Sequence, residues 1–148
     1  MLHAGLTVGC GRLRESYLFG EGTAVDPAKA IELLQTAAPY EFGWQSGGTA
    51  GFAGSLYPIY VRGEAYMAGH KGPEAAAEFQ KIINHIGLVS NDPTIVVAAR
   101  LQLARAFALA GDQSRAKKAY DDFLNLWKDA DPDIPILKQS RAEYAKLQ

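Results

Sequence analysis

An all-α architecture built from paired helices is what this sequence predicts, and three observations predict it. From Pro27 onward apolar residues recur at the spacing of helix faces. Glycine, proline and aspartate punctuate those stretches, and neither the alternation nor the tight-turn dipeptides of a β-sheet stand out. Gly63, Tyr66, Ala75 and Phe79 are separated by three, nine and four positions, and Ala104, Phe107, Ala116 and Tyr120 repeat those separations 41 positions later. Small and aromatic residues recurring at fixed offsets across two helices mark an internal repeat of helical hairpins.

The elements follow in order. In "DPAKAIELLQTAAP" Ala30, Ile31, Leu34, Ala37 and Ala38 share a helix face, Asp26 is a suitable N-cap, Pro27 fits the first helical position, and Pro39 ends the run. "YEFGWQSGGTAGFAGS" is rich in glycine and serine and reads as a loop. A second helix is predicted from about Ser55 to Ala68, with Pro58 near its first turn. Gly72 and Pro73 open a third, in which Ala75, Ala76, Phe79, Ile82, Ile83 and Ile86 recur at helical spacing until Gly87. "SNDP" caps a helix running to Ala110, Gly111 and Asp112 turn the chain into another ending near Asp129, and "DPDIP" separates that from a last helix carrying Leu137, Arg141, Tyr144 and Leu147.

Gly63 is the odd residue in this scheme, since glycine costs roughly 1 kcal/mol against alanine inside a helix. Helices joined by a tight turn approach to about 8–10 Å only where the side chains between them are small. Gly63 with Ala75, and Ala104 with Ala116, are placed to allow that approach, leaving Tyr66, Phe79, Phe107 and Tyr120 to fill the wedges beside it.

This small–aromatic–small–aromatic pattern resembles the tetratricopeptide repeat family. The resemblance covers Leu56 to about Ala130, and Ile136–Leu147 looks like the capping helix of such arrays. Ala24–Ala38 is similar to the second helix of an earlier repeat, with Ala30 at the small position. The resemblance therefore implies a tetratricopeptide-like superhelix of stacked antiparallel hairpins over residues 23–148, closed by a C-terminal cap. Residues 1–22 match poorly, with Leu18 and Glu21 at positions where a small and an aromatic residue belong; they read as the first helix of a degenerate repeat. The related Sel-like repeats are an alternative match through "YLFGEG…D…KA…AA". The stretch from Leu56 to Leu147 is also similar to the C-terminal repeat regions of bacterial eukaryotic-type serine/threonine kinases and of winged-helix regulators, without a kinase's glycine-rich loop, HRD or DFG elements.

In that family the first helix of each hairpin lines a concave groove that receives peptides or helices. The resemblance places Tyr57, Tyr60, Val61, Glu64 and Met67 from one hairpin, and Leu101, Gln102, Arg105 and Leu109 from the next, on that lining. Glu64, Gln102 and Arg105 are the stronger candidates, because polar groups have less packing reason to lie there. Tyr60 and Glu64 occupy positions where some members carry the first pair of a carboxylate clamp, which disfavours recognition of chaperone tails. The segment predicted to run from Pro93 is apolar nearly all round, as befits a helix with neighbours on both sides.

Composition narrows the rest. Fifteen basic and sixteen acidic residues leave the chain almost neutral, unlike a nucleic-acid binder, and Arg115, Lys117 and Lys118 are balanced by Asp121 and Asp122 one turn on. The single Cys10 cannot form an internal disulfide and has no histidine–carboxylate set near it. His70 precedes Glu74 and Glu78 at helical spacing, which reads as a turn histidine beside solvated carboxylates, not a metal site. The segment "GWQSGGTAGFAG", with Trp44 and Phe52, lacks the ending of a phosphate-binding loop. No apolar run reaches the roughly 20 residues of a membrane span.

The expectation is a non-catalytic interaction module without cofactor or metal, soluble and cytoplasmic by default, or extracytoplasmic if its parent protein spans a membrane. It would bind a peptide or helix as a piece or regulatory end of a larger signalling protein. A structural module that self-associates through the ends of the array, as a homodimer, is the alternative.

Overall fold

The structure, a computed structural model, describes residues 25–36, 38–42, 56–88 and 93–147. These residues form six α-helices and no strand: α1 (Pro27–Gln35), α2 (Tyr57–Ala68), α3 (Gly72–Asn84), α4 (Pro93–Leu109), α5 (Gln113–Leu126) and α6 (Pro135–Ala145). Single 3₁₀ turns follow α1 (Ala38–Tyr40) and α3 (Ile86–Leu88). Each helix packs on the next, and α2 also meets α4. The class is therefore all-α.

Local chemistry sets the ends. Asp26 caps α1 by accepting from the Lys29 backbone N–H at 3.0 Å, with Pro27 just inside. Asp112 does the same for α5, accepting from the Arg115 N–H at 2.9 Å. Helix α1 ends at Gln35, so Pro39 lies inside the following 3₁₀ turn, and Ala38 is exposed there instead of sharing the buried face.

The two hairpins turn in the same way, bond for bond. The Lys71 N–H donates to the Tyr66 carbonyl at 2.8 Å, and 41 positions on the Asp112 N–H donates to Phe107 at 3.0 Å. The His70 N–H reaches Met67 at 3.1 Å, and the Gly111 N–H reaches Ala108 at 3.0 Å. Both turns pass through a left-handed residue, His70 at φ 56° and Gly111 at φ 78°. This is the usual way a helix satisfies its last carbonyls before reversing. So short a link makes α2 and α3, and likewise α4 and α5, antiparallel neighbours.

Packing follows the repeat. Gly63 is buried against Phe79, and Ala75, Ala104 and Ala116 are fully enclosed. Phe79 stands in the core shared by α2, α3 and α4, and Tyr120 in the core shared by α4, α5 and α6. Tyr66 and Phe107 are half-buried wedges. Tyr66 joins the core under α2–α3 to the α1–α2 core formed by Ala30, Ile31, Leu34, Val61 and Ala65. Phe107 packs back onto the α2–α3–α4 core with the Arg115 guanidinium 4.6 Å over its ring. At Gly72 the backbones of two helices touch: a Cβ there would lie 2.5 Å from the Ala110 nitrogen.

One buried feature lies outside any apolar pattern. Arg62 on α2 donates to Glu41, to Glu78 on α3, and at 3.3 Å to the Leu34 carbonyl. Glu78 also accepts from Lys81 at 2.8 Å. The start of the predicted loop is thus not free: Glu41 is buried in this ion cluster, and the Phe42 ring stacks on His85 at 4.3 Å. Two carboxylates around one guanidinium give the desolvated charges the pairing they need. Burial works against the Arg62 charge, but hydrogen bonds to Glu41 and Glu78 more than offset it and hold its pKa above the ordinary value. Glu78 is thus buried in this cluster and is not the solvated carboxylate that its spacing from His70 suggests; among the described residues no group of three or more histidine, cysteine and carboxylate side chains is placed to hold a metal ion. Cys10, Trp44 and Phe52, and the predicted degenerate helix before Ala24, lie outside the described residues. Among the described residues no helix is long and apolar enough to cross a membrane.

Candidate functional site

The contact between α2 and α4 brings together a row of polar side chains that hairpin packing alone does not require. Tyr60 and Glu64 are one turn apart on α2, and Gln102 and Arg105 are one turn apart on α4. All four are half-buried, neither in the core nor in open solvent. The Tyr60 ring rests edge-on against Phe79, with centroids 5.6 Å apart, so the core fixes the base of the side chain and leaves its hydroxyl beside Glu64 and Gln102.

Burial and the neighbouring Glu64 charge push the Tyr60 phenol up to about 12. Burial also raises the Glu64 carboxyl above the usual range; Tyr60, Arg105 and Gln102 offset only part of that. One oxygen of Glu64, Oε1, is shut from solvent and has no hydrogen-bond partner. A buried acceptor without a donor costs about 1–3 kcal/mol, so this group is strained electrostatically as the protein stands.

Arg105 is held from the other side. Its Nε and Nη2 donate to the two oxygens of Glu143 on α6 at 2.8 and 2.9 Å, a forked pair. The Tyr120 hydroxyl donates to the same carboxylate at 2.9 Å, as does Gln139 Nε2 at 2.9 Å. Burial works against charge on Glu143, but these donors outweigh it and hold its carboxyl below the usual range. The row therefore runs acid, base, acid across α2, α4 and α6.

Other residues predicted for the lining distribute unevenly. Tyr57 and Leu109 are exposed, at 45% and 39%. They stand at the start of α2 and the end of α4. Met67 is half-buried and packs on the α2–α3–α4 core. Leu101 has to be corrected: at 1% exposed it is enclosed with Phe123 and Leu137, because it points to α5 and α6. Val61 is likewise buried, under α1. Arg105 also has a packing reason after all, namely Glu143. That partner was missed because a pair 38 positions apart leaves no local spacing to read.

A second depression lies elsewhere. Gln80, Ile83, Arg100, Leu103, Ala119 and Asp122 line a shallow recess of about 140 Å³ between α3, α4 and α5. On α4, positions 100 and 103 are about 200° around the helix from 102 and 105, so the recess faces away from the polar row. Its lining is mixed, and Asp122 pairs with Lys118 at 3.4 Å.

Comparisons with protein-family models, with curated proteins and with solved structures found no match.

Proposed function

We propose that this chain is a non-catalytic protein-interaction module that receives a peptide or helix across the face made by α2 and α4. One observation carries the reading: Tyr60, Glu64, Gln102 and Arg105 form a half-buried polar row there, with exposed Tyr57 and Leu109 beyond it. A face that offers exposed apolar side chains at its two ends and polar groups between them matches the recognition of helices and extended segments. The sequence resemblance to tetratricopeptide arrays, and to the repeat ends of bacterial signalling proteins, supports the same face. On that resemblance the module is the regulatory end of a larger signalling protein, acting without cofactor or metal.

The test is a peptide selection on the intact chain, repeated with Tyr57→Ala and Leu109→Ala. Loss of captured peptides by either variant, with helicity unchanged, supports the face; capture indifferent to both rejects it.

A second reading, self-association through the end of the array, is favoured by the exposure of Leu126 (59%) and Ile136 (37%) on either side of the α5–α6 link. Sedimentation over a range of concentrations decides it, since a monomer at every concentration removes it.

A further inference from the structure

The polar row from α2 through α4 to α6 carries two carboxylates, Glu64 and Glu143, and one cation, Arg105, which is already committed. Arg105 gives both arms of its fork to Glu143, which also takes hydrogen bonds from Tyr120 and Gln139. Glu64 takes part in no ion pair among the described residues, and its Oε1 accepts no hydrogen bond. The row thus holds a surplus negative charge at Glu64, in surroundings dry enough to make a compensating charge worth more than on open surface. An acidic partner would meet repulsion from the unpaired charge of Glu64.

Resting on the interaction-module reading, we propose that the partner is a polypeptide segment that lays a lysine or arginine against Glu64, with apolar side chains on either side of it for Tyr57 and Leu109. The cation completes an alternating row: partner base, Glu64, Arg105, Glu143. The groups facing Glu64 are Tyr60 on its own helix and Gln102 and Arg105 on α4, with Glu143 and Tyr120 behind Arg105. None of these supplies a second cation. Capture should therefore tighten as pH rises through the titration of Glu64, level off above it, and weaken with added salt.

The probe is a phage-displayed library of random peptides selected on the full chain, followed by affinity measurements on the best peptides with Glu64→Gln, Tyr57→Ala and, as a control, Glu74→Gln on the exposed side of α3. We expect selected peptides to carry lysine or arginine between apolar residues. Glu64→Gln should weaken them roughly tenfold, with Glu74→Gln without effect. Peptides that are acidic or uncharged, lost with Tyr57→Ala but not with Glu64→Gln, would overturn the basic partner and leave the face standing. Peptides indifferent to both variants, or no selected peptide, would overturn both. If Glu64→Gln instead abolishes a concentration-dependent dimer, the occupant is a second copy of this chain and the separate partner is wrong.

Discussion

The Phe79 ring occupies the space that a side chain on Gly63 would need. A Cβ built on Gly63 would lie 2.6 Å from one ring carbon and 2.7 Å from the next. Phe79 is fully enclosed, so the ring cannot swing away without disturbing the core of three helices. Gly63→Ala should therefore destabilise the fold despite alanine's better helix propensity. Overpacking costs about 1–3 kcal/mol against roughly 1 kcal/mol gained. Urea unfolding checks it, and Phe79→Leu in the same chain should recover part of the loss. An additive double variant would mean the two residues do not compete for space.

The paired turns give an internal comparison. His70 and Gly111 hold equivalent left-handed positions, but only glycine adopts that backbone without a steric cost of about 1–2 kcal/mol. His70 is exposed, so its side chain gives little in return. His70→Gly should raise stability by up to about 1 kcal/mol, because glycine's greater freedom when unfolded takes back part of the gain. Gly111→Ala should lower it by about 1 kcal/mol. Thermal melts of the two variants should shift in opposite directions.

Arg62 is a different kind of buried residue. Removing it strands Glu41 and Glu78 without their shared cation, a change that costs about 3–5 kcal/mol when a buried pair is broken. Arg62→Ala should unfold at markedly lower denaturant. Arg62→Met with Glu41→Gln and Glu78→Gln should recover much of that loss, because no unpaired charge remains. Hydrogen exchange at residues 38–42 would show whether that segment is released first.

Glu64 and Glu143 should give opposite pH signatures. The folded state raises the Glu64 carboxyl above its unfolded value near 4.3, so the wild-type chain loses stability as pH rises through that interval. Glu64→Gln should then be more stable than wild type at neutral pH, by about 1 kcal/mol, with the advantage fading in acid. The folded state lowers Glu143, so its contribution is present above the unfolded value and disappears as pH falls through the folded one. Glu143→Gln should cost about 1 kcal/mol at neutral pH after allowance for its partial exposure, and little in acid. A variant of Glu64 that folds better yet captures peptide less well would separate the roles of that side chain.

Much of this architecture was legible because it rests on local chemistry. The Asp26 cap, the Gly111–Asp112 turn, the glycine and proline punctuation, and the repeated spacing from Gly63 to Phe79 and from Ala104 to Tyr120 all act within one hairpin. Longer-range pairings were not legible. Arg62 with Glu41, and Arg105 with Glu143, join side chains 21 and 38 positions apart. Leu101 was misplaced for a related reason: on a helix apolar nearly all round, the pattern does not say which side meets the next hairpin. The left-handed backbone at His70 leaves no mark in the sequence, because glycine, as at the equivalent Gly111, is the residue that conformation favours.

The most direct test of the proposed face is a nuclear magnetic resonance titration of the chain with a selected peptide, followed residue by residue. Shifts gathered on Tyr57, Tyr60, Glu64, Gln102 and Leu109 are the expected result. Shifts gathered instead around Gln80, Ile83, Arg100 and Asp122 would place the partner in the recess on the other side of α4 and contradict the assignment.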